Sequence, residues 1–193
     1  MNADILEIAF QWAEWLAVAL GLLSVLGNIK LQRWGWIAQI GSSLLYCAVF
    51  ARQSIYGLAG LQLYFIVTAA MAYWKWHPAA QSNVTEVRSL NRKQTFLVYA
   101  IGFVATIALT FLLNHLSESS VAIGDALTTV GSVIAQWLMS HYYLQTWYLW
   151  AAVNAISIGL FAYIGLWPTA LLYGIFFAMA ITGYLQWRKA VLR

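Results

Sequence analysis

Two tryptophans, an asparagine and a serine share one face of a predicted helix in the second half of the chain. Trp147, Trp150, Asn154 and Ser157 are separated by three or four residues, the spacing of neighbours on an α-helix. Indole faces attract cations and stack on flat rings, and amides and hydroxyls bind sugars or aminated rings. These residues predict a site for a flat, cationic heterocycle. The structural alternative is an interfacial aromatic belt in which Asn154 joins two helices.

Polar side chains in other apolar segments extend this lining. One further stripe has helical spacing and consists of Asp125, Thr129, Ser132, Gln136 and Ser140. A serine or threonine can bond to its own helix, but an amide such as Gln136 needs another helix or a ligand. The first half of the chain offers a second set of lining candidates, Gln39, Ser42, Ser43, Tyr46, Phe50 and Gln62.

The residue patterns of enzymes are missing from this sequence. None of His77, His115 and His141 lies in the core of an apolar segment, and no His and carboxylate cluster has metal-ligand spacing. The sequence has no glycine-rich phosphate loop and no serine with a basic partner. We therefore expect neither catalysis nor a bound cofactor or metal.

Apolar segments must position the candidate residues. Of the 193 residues, 63% are hydrophobic and 8% are charged, a composition typical of all-α polytopic membrane proteins. Segments long enough to span a bilayer cover residues 9–27, 35–51, 55–76, 95–113, 121–140, 146–164 and 168–187. The chain is thus predicted to form seven transmembrane helices.

The one long polar stretch, His77 to Gln94, divides the chain into two halves. We expect residues 1–76 to form a first bundle of three helices. Residues 77–120 would hold a polar linker and the connecting fourth helix. Residues 121–193 would form a second bundle of three helices with a basic C-terminal tail.

An internal repeat relates the two bundles. A shift of 111 residues without a gap pairs Glu14 with Asp125, Leu16 with Leu127, Trp36 with Trp147, Phe50 with Phe161, Ala59 with Ala170, Leu61 with Leu172, Phe65 with Phe176, Tyr73 with Tyr184, and Trp76 with Trp187. Because one helix separates the copies, both enter the membrane in the same direction, as a 3+1+3 parallel repeat. Such an arrangement predicts a substrate site at the midplane between the copies. The paired acids Glu14 and Asp125 are either functional or simply favoured at helix N-termini.

The basic residues predict the orientation of the chain. Its net charge is +4, and the basic residues lie in loops beside apolar segments, which indicates orientation in a membrane rather than nucleic-acid binding. The side of the C-terminus carries nine of the ten, and the other side carries only Arg52. By the positive-inside rule the C-terminus is cytoplasmic and the N-terminus is outside.

Two stretches carry a resemblance to a known family. The run with Trp147, Trp150 and Asn154 resembles the PnuC family of vitamin transporters, together with its flanking residues Gln136-Trp137 and Thr169 to Tyr173. The first-half run resembles the first repeat of that family, from Trp34-Gly35-Trp36 through Ser43 to Tyr46, then Tyr56 and Leu61-Gln62. The resemblance covers nearly the whole chain.

The resemblance implies both a mechanism and a site. It implies a layout like that of the SWEET sugar transporters, a homotrimer in a bacterial inner membrane, and facilitated diffusion of nicotinamide riboside. A cytoplasmic kinase would make uptake one-way by phosphorylating the vitamin. The ring would lie between Trp147 and Trp150, with Asn154 and Gln136 as hydrogen-bond partners, and Gln62 and Tyr46 would contribute from the first half. Ser157 and Thr129 belong to the same predicted lining by helical spacing.

The repeat also predicts that the site is asymmetric. In the first copy Trp36 matches Trp147, but Gln39 stands opposite Trp150 and Ser43 opposite Asn154. Two alternatives to nicotinamide riboside transport remain. One keeps the fold and carries thiamine or riboflavin. The other is a non-transporting membrane assembly or sensor protein in which the polar stripes join helices.

Overall fold

The computed structural model describes residues 2–52, 56–81, 87–116, 122–163 and 165–191. Over these residues the protein consists of seven α-helices, α1 (Asn2–Ile29), α2 (Trp34–Arg52), α3 (Tyr56–Gln81), α4 (Arg92–Leu116), α5 (Ala122–Ser140), α6 (Thr146–Tyr163) and α7 (Trp167–Val191). The predicted all-α fold is confirmed. The clearest differences from the predicted segments are that α1 and α4 begin earlier, that α3 ends later, and that α7 ends four residues later.

Several helices suit a membrane environment. Four segments are long and apolar enough to cross a bilayer: Phe10–Ile29, Trp34–Arg52, Arg92–His115 and Trp167–Val191. A helix satisfies its backbone polar groups internally, which hydrocarbon surroundings require. Helices α3, α5 and α6 overlap the other predicted spanning segments.

The contacts divide the chain into two units, residues 1–85 and 86–193. In the first unit α1 packs on α2, and α2 packs on α3. In the second unit α5 packs on α6, α6 packs on α7, and α4 packs on α5. Each unit thus contains a bundle in which the middle helix touches both neighbours.

The loops between the first two helices of each bundle have the same backbone geometry. Leu31, with φ 56°, and Tyr142, with φ 61°, are 111 residues apart, and both adopt the left-handed conformation. Four backbone hydrogen bonds recur at the same shift, from the N–H groups of Leu31, Gln32, Gly35 and Trp36 and from those of Tyr142, Tyr143, Thr146 and Trp147. One bond of each set closes the Schellman pattern of helix ends, from Gln32 to Gly27 and from Tyr143 to Leu138. The predicted repeat is therefore present in the backbone as well as in the sequence.

A pair of buried tryptophans joins the last two helices of each bundle. The rings of Trp36 and Trp76 meet edge to face, with centroids 5.0 Å apart at 88°. The rings of Trp147 and Trp187 do the same at 5.4 Å and 89°. All four side chains are at most 1% exposed. The same edge-to-face interaction therefore stabilises the corresponding helix pair in each bundle.

The two bundles differ where their first two helices cross. In the first, a Cβ on Gly27 would clash with the Cα of Gly35. In the second, Thr146 replaces Gly35, and its hydroxyl donates a 2.7 Å hydrogen bond to the carbonyl of Ala135. The crossing of α1 and α2 is therefore close because glycine has no side chain, whereas a buried hydrogen bond holds the crossing of α5 and α6.

The end of the polar stretch His77 to Gln94 is bound to the α5–α6 loop. The N–H of Arg88 donates to the carbonyl of Tyr142, and the N–H of Leu144 donates to the carbonyl of Arg88, both at 2.8 Å. The side chain of Gln145 accepts from the N–H of Leu90 and donates to the hydroxyl of Ser89. The segment before α4 thus lies against the α5–α6 loop, a contact that the sequence does not predict.

Substitution of Gly27 by alanine tests the close crossing of α1 and α2. We expect Gly27→Ala to lower the free energy of unfolding by about 1 to 3 kcal/mol, because the two backbones must separate. Gly60→Ala in α3 is the matched control, since a Cβ there meets no atom within 4 Å. SDS unfolding of the purified protein in mixed micelles measures both variants. Equal stability of the two would contradict the close approach.

Candidate functional site

The predicted tryptophan face of α6 is mostly buried within the second unit. Trp147, Asn154 and Ser157 are 1%, 5% and 3% exposed, whereas Trp150 is partly exposed. An indole, an amide and a hydroxyl therefore lie along one side of α6, away from solvent. The partly exposed Trp150 adds a surface for stacking beside these hydrogen-bonding groups, as a polar aromatic ligand requires.

Helix α7 fixes the ring of Trp147. The ring meets Trp187 edge to face, and a Cβ on Gly183 would lie 2.5 Å from it. Gly183 therefore provides the space that the indole occupies. Within the described part of the chain, the Nε1 of Trp147 is buried without a hydrogen-bond acceptor. A buried donor without an acceptor costs about 1 to 3 kcal/mol, so an acceptor from a ligand or a water would be favourable there.

The first bundle has the same unsatisfied donor. The Nε1 of Trp36, the counterpart of Trp147, is also buried without an acceptor among the described residues. The buried Trp147 geometry is thus a property of both copies. What distinguishes the second copy is the residue pair Trp150 and Asn154, which replaces Gln39 and Ser43.

Helix α5 brings Gln136 to the interior of the second unit. Gln136 is 1% exposed, and it follows Ala135, whose carbonyl accepts the hydrogen bond from Thr146 at the start of α6. This bond fixes the beginning of α6 against α5, one residue before Trp147. Thr129 lies farther along α5, in an apolar groove that α4 shares and that includes none of the other predicted site residues.

The first-half candidates lie on α2 and α3. The ring of Tyr46 stacks on Phe50, with centroids 5.5 Å apart at 13°, and Gln62 is partly exposed on α3. Their counterparts at a shift of 111 are Ser157 and Tyr173. The first copy thus has its tyrosine on the middle helix α2, and the second copy has its tyrosine on the last helix α7.

Tyr173 is a further candidate that helical spacing alone does not reveal. Its ring stacks on Phe161, with centroids 5.2 Å apart at 14°, as Tyr46 stacks on Phe50. The available signal was the repeat itself, because Tyr173 matches Gln62 and Phe161 matches Phe50. Both copies therefore present a stacked tyrosine and phenylalanine, built from different helices.

The α5–α6 loop beside the face contains a partly buried tyrosine. Burial raises the pKa of Tyr142, and its ring lies 6.5 Å from that of Trp187. Among the described residues, no group of three or more His, Cys, Asp or Glu side chains is arranged to hold a metal ion. The chemistry of the face is therefore that of stacking and hydrogen bonding.

Comparison with known proteins identifies the family. The profile of the family described as nicotinamide mononucleotide transporter matches residues 11–189. The chain belongs to this family, the PnuC transporters. The nicotinamide riboside transporter PnuC of Neisseria mucosa is 29% identical, over 95% of this chain and 74% of that protein. PnuC of Escherichia coli is 22% identical, over 92% and 85%.

Two further relatives are informative. The riboflavin/roseoflavin transporter RibM of Streptomyces davaonensis is 24% identical, over 91% of this chain and 84% of that protein. A crystal structure of the vitamin B3 transporter PnuC aligns with a TM-score of 0.76 and 26% identity, over 98% of this chain and 88% of that one. The protein is therefore a multi-pass membrane transporter of a vitamin-transporter family and not an enzyme.

The Thr146 hydrogen bond gives a test of how the face is positioned. We expect Thr146→Val to lower the free energy of unfolding by about 1 kcal/mol, because a buried hydrogen bond is lost while the side-chain shape is kept. Thr182→Val is the control, since the exposed Thr182 hydroxyl bonds to the carbonyl of Ala178 in its own helix. Unfolding in SDS mixed micelles compares the two. A Thr182→Val effect as large as that of Thr146→Val would exclude a special role for Thr146.

Proposed function

We propose that this protein carries nicotinamide riboside across a bacterial inner membrane by facilitated diffusion. The main support is the α6 face, where Trp147, Trp150 and Asn154 combine two indoles with a buried amide. Nicotinamide riboside is a flat pyridinium cation with a carboxamide and a ribose, so its ring suits the indoles and its polar groups suit the amides. Relatives from Neisseria mucosa and Escherichia coli bear the name of nicotinamide riboside transporters, which favours the same substrate here.

The eight proposed binding residues divide by role. Trp150 supplies the stacking surface that is particular to the second copy, and Trp147 supplies a fixed indole with an available Nε1 donor. Asn154 and Gln136 are buried amides suited to the carboxamide or the ribose. Smaller contributions are assigned to Gln62, Tyr46, Ser157 and Thr129.

We propose that the vitamin is transported by alternating access. The two bundles would rock about the bound vitamin, exposing it first to one side and then to the other. Without a coupled ion, the vitamin equilibrates, and net uptake requires a cytoplasmic kinase to phosphorylate it. The proposal includes a cytoplasmic C-terminus and a homotrimer. Activity of alkaline phosphatase fused to the C-terminus, which requires export, would contradict that orientation, and the mass of the detergent-solubilised complex tests the trimer.

Substitution of Trp150 tests the site. We expect Trp150→Ala to weaken nicotinamide riboside binding by about 5- to 30-fold, since an indole contact with a cation contributes about 1 to 2 kcal/mol. Trp137→Ala removes an indole from α5 that is 45% exposed and packs on His141, and it should leave the affinity unchanged. Isothermal titration of the purified variants measures both. Unchanged affinity in Trp150→Ala would refute the assignment of the ring to this face.

A specific observation favours riboflavin as the second candidate substrate. RibM covers nearly all of this chain and is a riboflavin and roseoflavin transporter by name. Titrating the wild-type protein with nicotinamide riboside, thiamine and riboflavin side by side separates the candidates. Tighter binding of riboflavin or thiamine would keep the site and change the proposed substrate.

Proteoliposomes test the mode of transport. Labelled nicotinamide riboside should enter until the internal and external concentrations are equal, because diffusion through a carrier has no driving force beyond the gradient. Enclosing a nicotinamide riboside kinase with ATP should raise the internal label well above that level. Concentrative uptake driven by a proton or sodium gradient alone would contradict facilitated diffusion.

A further inference from the structure

An apolar groove of about 660 Å³ runs along the outer side of the second unit. Helices α4, α5 and α6 form its walls, with lining residues that include Tyr99, Phe103, Ile107, Leu127, Val153 and Ile156. Along α4 the lining extends from Val98 to Asn114, which corresponds to about 24 Å at the rise of an α-helix. The groove is therefore long, narrow and almost wholly hydrocarbon in character.

Helix α4 leaves this groove open because it has few neighbours. Of the described helices it packs only on α5. None of its spanning segment Arg92–His115 is buried inside the protein. The groove between α4 and α6 is thus a surface that the described residues of the second unit leave uncovered.

A polar cluster marks the end of the groove nearest the C-terminal tail. The rings of Tyr148 and Tyr184 pack together, with centroids 4.8 Å apart. Arg188 and Tyr99 are close enough to act on the Tyr148 hydroxyl electrostatically. Since Tyr99 also lines the groove, the cluster lies at this end of it. Arg188 itself is exposed and follows Tyr184 by one helical turn.

We propose that the groove binds one anionic phospholipid of the leaflet on the side of the C-terminal tail. Its phosphate lies at Arg188 with the Tyr148 and Tyr184 hydroxyls, and one acyl chain lies between α4 and α6. Guanidinium and phenol groups are suitable donors to a phosphate, and an arginine near the membrane surface attracts anionic lipids. The groove is longer than one leaflet of a hydrocarbon core that is about 30 Å thick, so it has room for an acyl chain of ordinary length.

The charge at one end of the groove favours an anionic phospholipid over other occupants. Bulk lipid would fill any apolar surface without regard to its headgroup. A second copy of this chain would bury the groove but leave the Arg188 cluster without an anionic partner among the groove residues, which are uncharged. A lipid phosphate satisfies the cluster and the groove together. The bound lipid would then fill the space between α4 and α6 and hold α4 in place beside the second bundle.

Native mass spectrometry of the full-length protein in detergent tests the proposal. We expect the wild-type protein to bind one phosphatidylglycerol per chain more tightly than phosphatidylcholine. Arg188→Gln should weaken phosphatidylglycerol binding by about fivefold, the effect of one basic residue at the membrane surface, and leave phosphatidylcholine binding unchanged. Lys189→Gln removes the same charge from the adjacent exposed residue, which points about 100° away around α7, and should have little effect.

A groove-filling variant tests the position of the acyl chain. Thr110 lines the groove, and Thr110→Trp should abolish retention of both lipids without changing the number of chains per complex. Equal weakening by Arg188→Gln and Lys189→Gln would overturn the proposal, as would equal affinity of the wild-type protein for the two lipids. A Thr110→Trp protein that keeps its lipid but changes its oligomeric state would instead assign the groove to a second copy. If Thr110→Trp does not fold, the two surface variants decide alone.

Discussion

An edge-to-face pair of buried indoles holds the last two helices of each bundle together. In hydrocarbon surroundings, apolar side chains gain little by leaving the lipid, so close packing and polar contacts must hold helices together. Edge-to-face aromatic pairs contribute about 0.5 to 1.5 kcal/mol beyond the area that they bury. The pairs Trp36 with Trp76 and Trp147 with Trp187 set the distance between the middle and last helix of each bundle. The position of the α6 face follows from that distance.

The two bundles share a framework and differ at the residues that would meet a ligand. The left-handed residues, the loop hydrogen bonds and the indole pairs recur at a shift of 111 residues. Trp150 and Asn154 do not recur, and the stacked tyrosine changes helix between the copies. Repetition therefore accounts for the fold, and the divergence from it lies at the residues proposed to bind the vitamin.

Much of this architecture could be predicted from the sequence because apolar length and helical spacing are local properties. The seven helices and the repeat are of this kind, and so is the face of Trp147, Trp150, Asn154 and Ser157. Features that depend on tertiary packing could not be predicted. Leu31 and Tyr142 adopt a conformation that glycine or asparagine usually signals. The docking of residues 88–90 on the α5–α6 loop joins segments about 55 residues apart, as the contact of Leu90 with Gln145 shows, and no local pattern marks it. Tyr173 can be identified only when the repeat is combined with the observation that a tyrosine stacks on Phe50.

The first two helices of each bundle are joined at different places along their length. The backbones of α1 and α2 meet at Gly27 and Gly35 through van der Waals contact, which resists compression but has no preferred direction. At the equivalent place, the Thr146 hydroxyl is bound to the carbonyl of Ala135, and a hydrogen bond resists both separation and rotation because it weakens steeply with angle. The first bundle also has a buried hydrogen bond between its first two helices, from the Ser42 hydroxyl to the carbonyl of Ala17. In the second bundle the corresponding bond lies about two helical turns nearer the loop, directly before Trp147, so the start of the tryptophan face is fixed at the loop end of α6.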